Sequence, residues 1–317
     1  MFALVFCAIA RGGDVVPSWA YPINPPARGV PAIDGVKVLH VPGSKVSLTQ
    51  AELVDFFSAP DWFPDTHGAL PVIVSRGNAP RVFACGFCHL PTGQGRPENA
   101  SLAGLPPDYI ARQVADFKSG ARRSAYHGAF LPTDLMIRVS VNASVEEVGA
   151  AAQFFAAQTL SPRVKIIERA RVPLTRVEGS VYVAEPGARQ EPLDGRILEL
   201  APDIRRHERH DDHLLYIAYV PIGSVARGKS LAAGGTSAAH VGCVSCHGEN
   251  LLGAGLAPPI AGRSPSYLLR QLLAMKTGAR AGAAAALMTT LVASMTLEDM
   301  VAAAAYAASL PGNAGTP

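Results

Sequence analysis

Charge is scarce in this 317-residue chain, and so are aromatic side chains. Charged residues make up 17% and Phe, Trp and Tyr 7%, and 28 basic against 25 acidic residues leave a formal net charge of +3. So weak a field gives no footing to nucleic acid or to an anionic membrane surface as the principal partner. No uninterrupted apolar run reaches the roughly 18 residues that a bilayer-spanning helix needs, so no transmembrane span is predicted. An alternation of strands and helices of the βαβ kind is missing as well, which takes away the setting of a thioredoxin-type dithiol. What is present is 49% hydrophobic residues over a length that suits two ordinary domains.

Cysteine is also sparse: there are five. Cys7 lies in the apolar opening "MFALVFCAIA", which reads as the apolar part of a secretory signal ending in the small-x-small site Ala8-Ile9-Ala10. The opening lacks the basic start of such a signal, and Phe6 poorly suits a lipoprotein cysteine at position 7. Residues 1–20 are therefore expected to be a leader or a truncated signal, and the protein to be exported to the periplasm, free or membrane-associated.

The other four cysteines occupy two short motifs. "ACGFCHLPTGQGRP" carries Cys85, Cys88 and His89, and "VGCVSCHGENLLGAG" carries Cys243, Cys246 and His247. The two are 158 residues apart, and the same offset pairs Gly104 with Gly262, Tyr109 with Tyr267, Gln113 with Gln271 and Gly120 with Gly278. "LAGLPPDYIARQVADFKSGAR" thus lies over "IAGRSPSYLLRQLLAMKTGAR", each a helix opened by Pro and closed by Gly. Further on the offset is 152, so the first copy has six extra residues between Gly120 and Met136. There "MIRVSVNASVEEVGAAAQFFAAQ" lies over "MTTLVASMTLEDMVAAAAYAASL", with Ser144 and Thr296 opening alanine-rich helices ahead of Glu146 and Glu298. The match of Phe154-Phe155 to the end of the second copy is approximate.

Four uses of C-x-x-C-H compete. A zinc site would have to unite two distant repeats and ignore the attached histidines. A redox dithiol needs the βαβ setting that is missing. A disulfide gives the histidines no role. Covalent haem c attachment uses every residue: two thiols form thioethers and the adjoining imidazole binds iron. An electron-carrying haem then needs a sixth ligand, commonly a methionine. Met136 and Met288 are the methionines that pair between the copies, whereas Met275, Met295 and Met300 face Phe117, Ala143 and Val148 and read as core. The expected axial ligands are His89 with Met136, and His247 with Met288.

The motif, the "LAG" turn, the Y-x-x-x-Q helix, the "GAR" end, the paired methionine and the closing helix together resemble class I cytochrome c. In tandem they are similar to the bacterial two-haem cytochromes c, over about residues 75–160 and 230–310. The resemblance implies a mainly α fold of two tandem helical domains, residues 75–161 and 226–317, each around a largely buried haem. It also implies redox-partner proteins, such as a dehydrogenase, an oxidase or another cytochrome. A proline carbonyl often supports the proximal imidazole in such proteins; Pro258 matches that place, and Ala100 stands there in the first copy. The family pattern does not account for an extended N-terminal arm (21–74) or a β-rich connecting segment (162–225).

Some residues stay open at this level. Arg122 and Arg280 either face haem acid groups or close helix ends, while Tyr109 and Tyr267 are accounted for by packing. "RRHERHDDHLL", with His207, His210 and His213, reads as a solvated loop, and His127 is a lesser substitute for Met136. The favoured function is one-electron transfer, as a carrier or as the electron-accepting subunit of a dehydrogenase. The alternative is a two-haem peroxidase or sulfur-compound oxidoreductase with one open iron.

Overall fold

A computed structural model describes residues 16–25, 33–234 and 241–312. Cys7 and the proposed cleavage site lie outside the described residues. The chain forms two helical units joined by a mixed β-sheet.

In the first unit the short turn Cys85–His89 is followed by helices Pro107–Ser119, Leu131–Asn142 and Val145–Ala156. In the second, Val244–His247 is followed by Pro265–Lys276, Ala286–Ala293 and Leu297–Ser309. The closing helices start at capping boxes, Ser144 with Glu147 and Thr296 with Asp299, each at the third helical position. The capping carboxylate is thus one residue beyond Glu146 and Glu298, where a side chain can reach back to the cap's own N–H. In the second unit the helix Ser224–Ala232 lies against Leu297–Ser309, and Gly228 is where they cross: a Cβ there would stand 2.1 Å from the Ala302 carbonyl oxygen. The apolar pair Ala283–Ala293 and Leu297–Ser309 is bent by 120°, and no single helix among the described residues is long and apolar enough to cross a membrane.

The repeats agree in backbone detail. The "LAG" glycines Gly104 and Gly262 both have φ of +68° and both donate to the closing helix, Gly104 N–H to Phe155 O (3.1 Å) and Gly262 N–H to Ala307 O (2.9 Å). Phe155 therefore answers to Ala307, and the 152-residue offset holds through that helix.

The connecting segment forms a small sheet. Five strands lie side by side in the order Thr175–Glu178, Val181–Ala184, Leu198–Leu200, Tyr216–Val220, Val164–Glu168. The outer pair Val164–Glu168 and Tyr216–Val220 is parallel, and Leu198–Leu200 is buried at every position. This sheet braces both units. Arg163 donates from Nη1 to Gly95 O of the first (2.7 Å), and buried Glu199 accepts from Ser264 Oγ (2.6 Å) and Ser266 N–H (3.1 Å) of the second. The carboxylate caps the start of Pro265–Lys276, where unpaired N–H groups favour an anion.

The arm divides its contacts. Residues 33–75 carry a small core of Val41, Leu53, Trp62 and Phe63 and tie to the sheet segment through Trp62 Nε1–H to Arg209 O (2.6 Å). Val16, Trp19, Ala20 and Tyr21 instead join the core of the second unit, with Tyr21 stacked on Tyr126 and edge-on to Phe130. Val16, Trp19 and Ala20, at the end of the segment expected to be a leader, thus touch the core of the second unit. The loop that holds the six extra residues of the first copy supplies Ala125, Tyr126 and Phe130 to the same core.

Candidate functional site

A continuous cavity of about 1780 Å³ runs past both cysteine–histidine motifs. A small ligand ordinarily occupies roughly 300–1,000 Å³, so this space has room for more than one. Cys85, Cys88, His89 and Met136 line one part, and Cys243, Cys246, His247 and Met288 line another. Met275 and Met295 also reach the wall but sit in the second unit's core with Met300. His127 is exposed and lies away from the cavity lining.

The two imidazoles are prepared alike. His89 Nδ1–H donates to Ala100 O at 2.8 Å, and His247 Nδ1–H donates to Pro258 O at 2.8 Å. An alanine carbonyl serves as well as a proline one because only the backbone oxygen is used. The bond fixes the tautomer and leaves the Nε2 lone pair to bind iron. Burial pushes both imidazoles below the ordinary histidine value and keeps them neutral, as a metal ligand must be. Directly after each histidine the backbone turns left-handed, at Leu90 (φ 65°) and Gly248 (φ 75°), so the chain leaves both turns in the same direction.

The thiols are poor candidates for other chemistry. Burial pushes Cys85 up to about 12 and Cys88 up to about 11, and raises Cys243. A redox dithiol relies on a lowered thiol value, the opposite direction. All four are free of disulfides, and no three His, Cys, Asp or Glu gather as a metal site among the described residues.

Between the motifs, the repeats grip each other through a reciprocal cluster. Arg122 donates to Gln113 Oε1 (2.8 Å), Tyr267 OH (2.8 Å) and Gln271 Oε1 (2.7 Å). Arg280 donates to Gln271 Oε1 (3.2 Å), Tyr109 OH (2.9 Å) and Gln113 Oε1 (2.8 Å). The backbones match: Arg123 N–H donates to Ala279 O (2.7 Å) and Ala281 N–H to Ala121 O (2.8 Å). The arginines are therefore not helix-end charges, and the tyrosines do more than pack. The signal was in the sequence, since Tyr, Gln and Arg recur together, but a repeat does not reveal that each copy's partners belong to the other. Both guanidiniums line the cavity, bond to neutral oxygens, and Arg280 Nε has no partner. That shortage of anions suits the acid side chains of haem.

The histidine-rich stretch is not a solvated loop. His207, His210, Asp211 and Asp212 are buried. His207 shares its Nδ1 with Tyr216 OH (2.9 Å), His210 Nδ1–H donates to Phe87 O (2.8 Å), and His213 stacks on Phe63. The three point at different neighbours, and what reads as surface charge in one dimension is covered by the first unit and the arm.

Comparison with known proteins assigns the class. The cytochrome c family model matches residues 225–311. Cytochrome c-554(548) of Halomonas halodenitrificans is 41% identical over 70 residues, 21% of this chain and 82% of that protein. The chain belongs to the cytochrome c family, and its function is electron transfer as a class I c-type cytochrome. The thiosulfate dehydrogenase electron acceptor of Thiomonas intermedia (strain K12) is 26% identical over 237 residues, 73% of this chain and 81% of that one. The solved thiosulfate dehydrogenase (TsdBA) of Marichromatium purpuratum, in its as-isolated form, superposes with a TM-score of 0.50 at 26% identity. That match covers 75% of this chain but 39% of the solved one.

Proposed function

We propose that the protein is an exported electron carrier with two covalently bound c-type haems. Cys85 and Cys88 attach one and Cys243 and Cys246 the other; His89 with Met136, and His247 with Met288, are the axial ligands. When bound, haem supplies a one-electron iron couple. The chain's own part is to hold each imidazole neutral and oriented, to exclude water with apolar walls, and to set guanidinium charge beside both sites. The observation that carries the reading is the doubling: each copy ties its histidine to a backbone carbonyl at 2.8 Å and sets its methionine on the wall of the same cavity.

Protein ligands on both iron faces favour electron exchange over substrate chemistry, which disfavours a peroxidase or sulfur-compound oxidoreductase with an open iron. The similarity to a thiosulfate dehydrogenase electron acceptor supports a role as the acceptor of a periplasmic dehydrogenase, free or at a membrane surface. Denaturing mass spectrometry tests this: two haem masses per chain are expected, with the weak far-red methionine–iron band in the oxidised spectrum. One haem, or loss of that band, would overturn the assignment.

A further inference from the structure

We infer that Arg263 is a positioning residue for both axial histidines: one guanidinium holds the two histidine-supporting loops together and raises the reduction potential at both sites. The inference rests on the two-haem reading above and assigns a residue within it. Each histidine is supported by a backbone carbonyl, Ala100 O for His89 and Pro258 O for His247. The next carbonyls along belong to Ser101 and Pro259, which match at the 158-residue offset. Arg263 bonds both of them. Its Nη1 donates to Ser101 O at 2.7 Å and its Nε to Pro259 O at 2.8 Å. Nη2 adds Ala103 O of the first "LAG" turn at 3.0 Å.

The planar fork of an arginine suits this task, because its donors are fixed relative to one another. With the neighbouring carbonyl pinned in each loop, the carbonyl that accepts from the imidazole keeps its aim, and the ring keeps its orientation. The two repeats share this one residue. At the 158-residue offset Arg263 answers to Leu105, a buried side chain in the apolar core of the first unit. Residues that pair between the copies therefore do not reveal it. Arg122 and Arg280 differ in what they reach, since they bond side chains of the facing helices rather than the histidine loops.

Arg263 is 4% exposed and lies on the wall of the cavity that both motifs share. Among the described residues its partners are backbone carbonyls, and no carboxylate bonds it. Burial lowers the guanidinium to about 10 while the Tyr109 and Tyr267 hydroxyls act the other way, so it is a cation at neutral pH. Carbonyl dipoles satisfy its N–H groups without cancelling its unit charge. A ferric site carries one more positive charge than a ferrous one, and a buried cation beside it favours the reduced form.

The test is an optical redox titration of the haem-loaded protein, with both haems verified by mass. Arg263→Gln keeps a donor and loses the charge. At each wild-type midpoint it should lower the ratio of reduced to oxidised haem about tenfold, a fall of about 59 mV for a one-electron couple. Arg263→Lys keeps the charge, and both ratios should stay within about threefold of wild type, but one nitrogen cannot replace the fork. At least one proximal Nδ1–H should then exchange with solvent about tenfold faster, read by proton resonance of the paramagnetic protein. A shift at one haem only, or a lower unfolding midpoint with both potentials unmoved, would overturn the inference. Should the glutamine variant fail to fold, the lysine variant decides: unchanged exchange at both histidines overturns it. A single haem in the mass spectrum of the unaltered protein would instead sink the two-haem reading itself.

Discussion

Phe87 and Ser245 hold the same place in two copies of one motif, yet one is buried beneath two inserted segments and the other faces outward. Inside the motifs the copies hardly differ. Both histidines bond a backbone carbonyl at 2.8 Å, and both "LAG" glycines bond the closing helix. The difference comes from outside, where the arm and the sheet segment cover the first turn and, among the described residues, not the second. Duplication preserved the local geometry, and the inserted segments changed what covers it.

The strongest way to break this comparison is to empty one site at a time. Replacing Cys243 and Cys246 by Ala should halve the haem content. The same change at Cys85 and Cys88 should halve it as well. Denaturing mass spectrometry reads both outcomes, and loss of both haems, or of neither, in one variant would mean that the two motifs are not separate attachment sites.

The cluster between the repeats predicts symmetry instead. Arg280→Leu removes the donor to Tyr109, Gln113 and Gln271 and should cost about 3 kcal/mol, the scale of charged hydrogen bonds lost with buried partners left over. Arg122→Leu should cost a similar amount in denaturant unfolding. A large disparity would show that the grip is not reciprocal.

A smaller effect separates the two turns directly. Gly86→Ala places a methyl within 2.9 Å of both Ala59 Cβ and Val74 O and should destabilise by about 1–3 kcal/mol. The homologous Val244→Ala, on an open surface, should stay within about 0.5 kcal/mol.

The smallest effect concerns pH. Burial lowers the His207 and His210 imidazoles, His210 the further, in a setting that also holds Arg96, Glu98 and Tyr216. The unfolded chain then binds more protons below about pH 6.5, so stability is full above that value and falls as pH drops toward the folded values. His207→Gln should flatten this acid limb in a plot of denaturant midpoint against pH, and His127→Gln at an exposed site should not.

The legible part of the molecule was the repeated part. Cys85, His89, Cys243 and His247 stand out by local spacing and Met136 and Met288 by recurrence, and the structure puts all of them on the lining of one cavity. The β-rich character of 162–225 was visible in Val181-Tyr182-Val183. Its parallel pairing was not, since Val164–Glu168 and Tyr216–Val220 meet across some fifty residues. The burial of His207 and His210 was hidden for a related reason. Polar side chains among charges look solvated in sequence, and only the contacts of Phe87, Tyr216 and Glu98 reveal a buried polar core.

The central claim is that both irons are held by histidine on one side and methionine on the other. Low-temperature paramagnetic resonance of the fully oxidised protein tests it most directly. Two low-spin ferric signals of equal weight are predicted, whereas a high-spin signal accounting for half the iron would contradict the account.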